Sequence, residues 1–395
     1  MKPTIFPVGF HDLHPNASMN FQMNRWYSWV GEEDMLDEMR ETAPRIANYS
    51  DWKREFLALA AKASNDGHGL RAGFYFRSAD FFMRAADPDR KSARRNFLSA
   101  MRSVYGLDAH ERHTIPYTDG EVQGALPAYR FVPMQSKGTI VFFGGFDSYI
   151  EELTSAFFYL RDAGYEVVAF EGPGQGGALN DAGLHMTADW HKPVKTVLDY
   201  FKLDHVTLIG LSMGGCLVLR AAAFETRVDR LVAYNIYPDS LEVNLRQVKP
   251  LLRGLMPALL DLRAAPIVNM MAKRVARKNA IAQWGIDEGM HVTGATPPYE
   301  YFQKIRKFHT KDVSALIGQD VLLLAGNEDH LLPVTDFYEQ IETLKNARSL
   351  TARLFTKGDS AQSHCQVGNY GVAFRTIVNW LDGLNQNNPL DSSNS

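Results

Sequence analysis

The chain has 395 residues, 45% of them hydrophobic and 22% charged, which is the composition of a soluble globular protein. Its formal net charge of −3 and its lack of a long Lys/Arg run argue against a nucleic-acid partner, and no apolar stretch approaches the roughly 18–20 residues that a membrane-spanning helix needs. The two cysteines, Cys216 and Cys365, lie far apart and suit the cytoplasm, the predicted location, rather than a disulfide framework.

Residues 1–110 are predicted to form a helical cap. Prolines and a histidine interrupt the first apolar stretch, so a signal peptide is not expected. The first 40 residues match no pattern and are expected to reshape a pocket or a dimer contact. Further on, Ser50 is the predicted N-cap of a helix whose apolar residues recur at helical spacing. Two more amphipathic helices are predicted, over about residues 70–86 and 90–107.

The character of the sequence changes near residue 111. An Asp119-Gly120 turn between extended stretches predicts a hairpin. Strand-like and helix-like segments then alternate, which is typical of an α/β fold with a mainly parallel sheet and helices on both faces. The predicted parallel strands are at 138–145, 165–172, 205–211, 228–236, 320–326 and 350–356.

A helical insertion divides this core in two. Residues 240–316 are predicted to form an inserted helical lid, rich in Met and interrupted by Pro and Gly. The core then comprises residues 111–239 and 317–386. The tail, 387–395, is too polar to pack and is expected to be disordered.

The segment Gly210-Leu211-Ser212-Met213-Gly214 lies between a predicted strand and a predicted helix. Gly-x-Ser-x-Gly in this context predicts a nucleophile elbow, a tight turn that exposes a serine at the edge of the sheet. A β-carbon at the flanking positions would clash with the adjacent backbone, which explains the two glycines. The sequence therefore predicts that Ser212 is a catalytic nucleophile.

A serine hydroxyl needs a histidine to accept its proton and a carboxylate to orient that histidine. On such a sheet the chain order is serine, acid, histidine. Asp329 and His364 follow two later predicted strands, at the edge where Ser212 emerges, and are the predicted acid and base. Asp239 is the alternative acid, and His330 is a rival base disfavoured because it adjoins the acid.

Two backbone N–H groups should stabilise the developing oxyanion. Met213 follows the nucleophile and Phe146 follows an early strand, so these are the predicted donors, and Gly145 permits close approach. Ser148 and Glu151 have capping-box spacing. The glycine-rich segment 171–177 lacks the pattern of a phosphate-binding loop and is interpreted as a surface loop beside the site.

These motifs together resemble the α/β-hydrolases. GGFDSYIEEL, FEGPGQGG, GLSMGG and SHCQVGN, with RAGFYFRSADFFMRAA and WGIDEGMHVTGATPPYEYF, are similar to one branch of that family. The branch contains 2,6-dihydroxypseudooxynicotine hydrolase, fermentation–respiration switch proteins and fungal polyketide-shortening hydrolases of pigment pathways. The resemblance covers about residues 45–385. It implies a cap and a lid over a Ser-His-Asp site, and hydrolysis of carbon–carbon bonds in ketones.

The predicted function is therefore hydrolysis of a small-molecule ketone or β-diketone through an acyl-enzyme, with no metal or cofactor. The predicted substrate contacts are Gly145, Trp284, Met290 and Asp239. The same residues would serve a carboxylesterase or lactonase, or an acyltransferase or cyclase, and a ligand-binding protein without turnover is a more remote alternative. A homodimer is also expected from the helical N-terminal region.

Overall fold

The computed structural model describes residues 5–107, 111–246 and 248–387. Its centre is an eight-stranded sheet in the order β1-β2-β4-β3-β5-β6-β7-β8. The first two strands form an antiparallel hairpin whose second strand pairs antiparallel with β4, and the other pairs are parallel. The strands are β1 Arg112–Asp119, β2 Val122–Phe131, β3 Thr139–Phe143, β4 Glu166–Phe170, β5 Val206–Leu211, β6 Val228–Tyr234, β7 Asp320–Gly326 and β8 Ser349–Phe355.

Helices precede the sheet in the chain, connect its strands and form one insertion between β6 and β7. The cap helices are α1 Ala17–Val30, α2 Glu33–Thr42, α3 Tyr49–Asn65, α4 Gly69–Phe81 and α5 Arg90–Tyr105. The helices that connect strands of the first part are α6 Thr154–Asp162, α7 Gly176–Asn180, α8 His191–Phe201 and α9 Gly214–Ala222. The lid helices are α10 Ser240–Leu245, α11 Pro250–Asp261, α12 Ala265–Ala276, α13 Ala280–Thr293 and α14 Pro298–Ile305. The last two are α15 Val334–Thr343 and α16 Tyr370–Asn387.

The central strands are buried on both faces, as their continuous apolar sequences require. Successive side chains of a strand point to opposite faces, so Leu208 and Ile209 of β5 belong to different hydrophobic clusters. The cluster that contains Ile209 also holds the apolar side chains of the cap helices. The cluster that contains Leu208 holds most of those of the lid helices. Cap and lid thus add to different cores.

The cap differs from its prediction in two ways. The N-cap of α3 is Asn48 rather than Ser50, because the Asn48 side chain accepts hydrogen bonds from the N–H groups of Ser50 and Asp51. Helix α4 is not amphipathic, since its polar residues Arg77 and Asp80 are as buried as its aromatic ones.

The predicted hairpin is present, and Gly120 adopts the left-handed conformation in its turn. Among the described residues, no helix is both long and apolar enough to cross a membrane. The tail predicted to be disordered lies outside the described residues from position 388 onward. The boundaries assigned to cap, lid and core stay a prediction.

Candidate active site

The serine turn has the geometry that its glycines predict. Ser212 lies between the end of β5 and the start of α9 with φ +58°, a left-handed conformation that is unusual for serine. Its N–H donates to the carbonyl of Tyr234 at 2.7 Å, which fixes the turn. A β-carbon on Gly210 would lie 2.0 Å from the carbonyl oxygen of Gly214. Only glycine fits there, and the serine hydroxyl is held at the carboxyl edge of the sheet.

Two side chains from distant parts of the chain meet this serine. His364, in a 3₁₀ turn after β8, has its Nε2 2.8 Å from the Oγ of Ser212. Its other ring nitrogen, Nδ1, is 2.7 Å from Oδ2 of Asp329, in the loop after β7. The structure therefore brings together the three residues that the sequence selects, in the order hydroxyl, imidazole, carboxylate.

Asp329 is held from several directions. Its Oδ1 accepts the N–H groups of Leu331 and Leu332, and its Oδ2 also accepts from Nδ2 of Asn235 at 2.9 Å. Burial opposes ionisation, but His364 and these donors outweigh it and lower the pKa of the Asp329 carboxyl. The acid is therefore ionised and fixed in orientation, as a partner of a histidine that gains a proton must be.

The two neighbouring histidines have opposite electrostatic surroundings. Burial tends to lower the pKa of His364, but the adjacent Asp329 carboxylate outweighs burial and raises it well above 6.5. His330 is exposed over a large part of its surface, and partial desolvation of its ring lowers its pKa to about 4 despite the same carboxylate. The His330 ring packs against Phe21 of α1, with ring centres 4.5 Å apart. His364 is thus suited to accept a proton, whereas His330 is neutral.

The loop after β3 lies directly beside the serine. A β-carbon on Gly145 would be 3.0 Å from Cβ of Ser212 and 3.1 Å from the backbone nitrogen of Met213. Among the described residues, the N–H groups of Met213 and Phe146 donate to no backbone acceptor. Gln175 holds this loop, because its Nε2 donates to the carbonyls of Gly144 at 2.7 Å and Gly145 at 2.9 Å. Two free N–H donors next to a serine suit an oxyanion.

Residues 141–361 match a family model described as the alpha/beta hydrolase fold. The chain belongs to the α/β-hydrolase family. It is 30% identical to the hydrolase LUC6 of a Fusarium species, over 94% of this chain and 97% of that protein. It is 26% identical to the 20-hydroxy-prefusarin hydrolase FUS2 of Gibberella moniliformis, over 94% and 97% of the two chains. The protein is therefore an enzyme of the hydrolase class, with named fungal hydrolases among its relatives.

Solved structures agree with this α/β-hydrolase fold. The crystal structure of 2,6-dihydroxy-pseudo-oxynicotine hydrolase superposes with a TM-score of 0.62 at 20% identity, covering 90% of this chain and 94% of the other. The wild-type AbyA5 structure superposes with a TM-score of 0.64 at 16% identity, covering 92% and 94%. Both matches extend over the cap and lid regions as well as the sheet.

Two interpretations of the loops of this hydrolase are wrong. The segment 171–177 is buried rather than a surface loop, because Gln175 and Glu171 turn inward to bind backbone N–H groups. Ser148 and Glu151 form no capping box. Instead the Ser148 hydroxyl accepts from the Gly145 N–H at 3.1 Å, and Glu151 accepts from the hydroxyl of Tyr129.

The remaining predicted site residues are dispersed. Asp239 caps α10 by accepting the N–H of Glu242 and forms an ion pair with Lys311, so it is not the partner of His364. Trp284 of α13 lines a narrow cavity together with Phe146. Its ring stacks on Phe81 of the cap, with ring centres 4.8 Å apart. Met290 is half-buried and packs into the cluster of the lid helices.

A buried ionic cluster joins the cap of this hydrolase to the loop beside Ser212. Arg25 of α1 pairs with Asp147 at 3.0 Å and with Glu152 at 2.9 Å. Arg77 of α4 pairs with Glu152 and donates to the backbone carbonyl of Asp147 at 2.6 Å. Asp147 therefore ties the cap to the segment that begins with Phe146.

Proposed function

We propose that this hydrolase cleaves a carbon–carbon bond of a ketone or β-diketone by means of Ser212, His364 and Asp329. The observation that carries the proposal is the continuous line of hydrogen bonds from the Ser212 hydroxyl through the imidazole to the Asp329 carboxylate, at 2.8 and 2.7 Å. A hydroxyl in such a line loses its proton to the imidazole as it attacks a carbonyl carbon.

The reaction then has two halves. In the first, the Ser212 oxygen bonds to the carbonyl carbon while His364 takes the hydroxyl proton, and the N–H groups of Met213 and Phe146 bind the oxyanion. Collapse breaks the carbon–carbon bond, and the leaving carbanion, stabilised as an enolate, receives that proton. In the second half a water attacks the acyl-enzyme with His364 as base, which releases a carboxylic acid and restores the serine.

The substrate class is supported by the relatives and by the walls of the site. FUS2 is named a 20-hydroxy-prefusarin hydrolase, which favours a polyketide-like secondary metabolite for this chain as well. Aromatic side chains from separate segments surround the site: Phe21 beside His330, and Phe146 with Trp284. Flat conjugated ketones are well matched to aromatic walls.

An activated serine is tested first, by labelling the whole protein with a fluorophosphonate and measuring intact mass. We expect one adduct on the wild type and none on Ser212→Ala, while Thr356→Ala, which removes an exposed hydroxyl far along the chain, keeps the adduct. A wild-type protein of native circular dichroism that gains no adduct would contradict the proposed nucleophile.

The bond that is cleaved is tested with two acetyl donors, 1-phenylbutane-1,3-dione and phenyl acetate. Both would give the same acetyl-enzyme, so the comparison isolates the first half of the reaction. We expect turnover of the diketone, detected as acetate and acetophenone, and its loss in Ser212→Ala. Turnover of phenyl acetate alone would favour the carboxylesterase or lactonase alternative and reject carbon–carbon cleavage.

A further inference from the structure

An open cleft of about 640 Å³ lies where α5 of the cap faces α7 and α13. Its walls come from these three helices, from the segment that precedes α5, from the residue after α7 and from the first residue of β1. The lining residues are Ala85, Asp87, Arg90, Lys91, Arg94, Arg95, Leu98, Ser99, Arg102, Arg112, Asn180, Asp181 and His291. The cleft is therefore large enough to hold a small organic molecule.

The charge of these walls is strongly unbalanced. Six of the lining residues are Arg or Lys, and two are Asp. Two of the six are paired with carboxylates that do not line the cleft, Arg90 with Glu288 and Arg102 with Glu151. One of those aspartates, Asp87, is already paired with Lys53 outside the cleft at 2.6 Å. In the described part of the chain, Arg94 and Arg95 have no ion-pair partner, although Arg94 packs over the ring of Tyr149. A concave surface of this kind attracts anions.

Three buried donor atoms in these walls lack a hydrogen-bond partner. Arg90 is only 8% exposed, and its Nη2 donates to Glu288 of the lid at 2.7 Å. Its Nη1 and Nε have no hydrogen-bond partner in the described structure, although Nε lies 3.5 Å from Asp80, and neither has Nε of Arg94. Unpartnered buried N–H groups of a guanidinium are costly. An oxyanion bound between Arg90 and Arg94 would supply acceptors for these groups.

A second, much smaller cavity of about 20 Å³ lies beside this cleft, and Arg90 and Asn180 line both. The walls of the smaller cavity include Phe146, the residue next to Gly145. A β-carbon on Gly145 would lie 3.0 Å from Cβ of Ser212. Arg90 thus lies between the open cleft and the segment that holds the candidate oxyanion donor Phe146.

We propose that the cleft binds an anionic group, a carboxylate or a phosphate, at Arg90 and Arg94. The group belongs to the substrate, whose carbonyl reaches Ser212 when the smaller cavity widens; this second part rests on the proposed function, and the anion site does not. A small ligand is favoured over an acidic protein surface, because Arg90 is only 8% exposed and its unpartnered Nη1 is buried beyond the reach of a flat protein face.

The anion site is tested by calorimetric titration of the whole protein with three probes of eight carbons each: octanoate, octyl phosphate and octanamide. We expect both anions to bind at least about tenfold more tightly than the neutral amide, the effect of hydrogen bonds to a charged group. Tighter binding of octyl phosphate would assign the site to a phosphate, and tighter binding of octanoate to a carboxylate. Equal affinity for all three probes would overturn the proposal.

Single arginine variants test where on the protein the anions bind. Arg94→Gln should weaken octanoate binding about tenfold and leave octanamide binding within twofold. Arg95→Gln, at the exposed rim, should have a smaller effect that added salt abolishes. Arg40→Gln is the matched control, an exposed cap arginine paired with Asp37. Unchanged octanoate binding in a folded Arg94→Gln protein would overturn the assignment.

The connection to Ser212 needs a turnover measurement, with the mono-4-nitrophenyl ester of octanedioic acid and its methyl-capped diester. We expect the wild type to favour the acidic ester in kcat/KM. Arg94→Gln should lose at least fivefold more activity on the acidic ester than on the capped one. If anions bind but neither these esters nor 1-phenylbutane-1,3-dione is turned over, the proposed function fails and the anion site stands. If both esters are hydrolysed equally well, the connection is wrong.

Discussion

Two buried ionic networks of this molecule differ in how completely their atoms are paired. At the serine, both oxygens of Asp329 have partners, from Asn235, His364 and two backbone N–H groups. At the boundary of cap and lid, Arg90 pairs with Glu288 yet keeps Nη1 unpartnered beside a cavity. A fully paired network fixes one geometry, whereas an incompletely paired one retains the capacity to bind a ligand.

The largest effect on turnover is expected at Asp329, where both carboxylate oxygens are paired. Asp329→Asn keeps the shape of the acid but removes the charge that orients His364, and in a triad such a change costs about 10⁴ in kcat. The measurement is steady-state turnover of the best substrate, with Asp336→Asn as control, an acid of α15 paired with Arg246 outside the site. A loss below about tenfold would mean that Asp329 does not act on His364.

The same variant should change the pH profile. His364 must be neutral to accept a proton, and Asp329 raises its pKa well above 6.5. Activity of the wild type should therefore fall as pH decreases through an apparent pKa above 6.5. In Asp329→Asn that acidic limb should move to lower pH, because the stabilising carboxylate is gone. An acidic limb at the same pH in both proteins would assign the titration to another group.

The next largest effect is expected on the free energy of unfolding, at the buried ion pairs of the cap. Arg77→Met removes one of the two arginine partners of each of the buried carboxylates Glu152 and Asp80, and breaking a buried pair costs about 3–5 kcal/mol. Urea unfolding at neutral pH measures the loss. Arg353→Met, which removes an exposed pair with Asp359, should cost less than about 1 kcal/mol. Equal losses would show that the buried cluster is no stronger than a surface pair.

Substitution of Gln175 should lower kcat and leave KM nearly unchanged. Gln175→Ala frees the carbonyls of Gly144 and Gly145, so the candidate oxyanion donor Phe146 is less well positioned. We expect kcat to fall about 10- to 100-fold with KM within threefold, less than the loss of an oxyanion donor itself. Gln319→Ala removes a similar bond, to the carbonyl of Ala222, and should leave kcat unchanged. A rise in KM alone would contradict a positioning role.

The smallest effect is expected at Asp239, which lies in neither network. Asp239→Ala removes an N-cap and an ion pair with Lys311, worth about 1 kcal/mol of stability. Thermal unfolding measures that loss, and kcat should stay within twofold of wild type. A loss of activity as large as that of Asp329→Asn would restore Asp239 as the catalytic acid.

The sheet and the serine turn could be predicted because local rules determine them. Buried strands have continuous apolar runs, and the elbow needs glycine at positions such as Gly210. Asp329 and His364 could be selected because both follow strands whose ends share one edge with Ser212. Chain order and strand polarity were therefore sufficient to assemble three residues that are far apart in sequence.

Other site residues could not be found in this way. Asn235 and Gln175 act through hydrogen bonds to residues about 94 and 30 positions away, and an amide side chain has no pattern that reveals such a partner. Asn235 does follow β6 at the same sheet edge, which was the available indication. Arg25 and Arg77 look like ordinary charged helix residues, and only the tertiary structure shows them buried.

Helix α1 places Phe21 against His330, and the ring centre of Phe21 lies 6.4 Å from that of His364. The same helix places Arg25 against the loop that follows Gly145. Part of the surroundings of the triad thus comes from a helix that precedes the family match, which covers residues 141–361. A substitution in this helix changes the surroundings of the triad without changing Ser212. Comparisons of substrate preference among relatives should therefore be aligned on residues 17–30 as well as on the elbow.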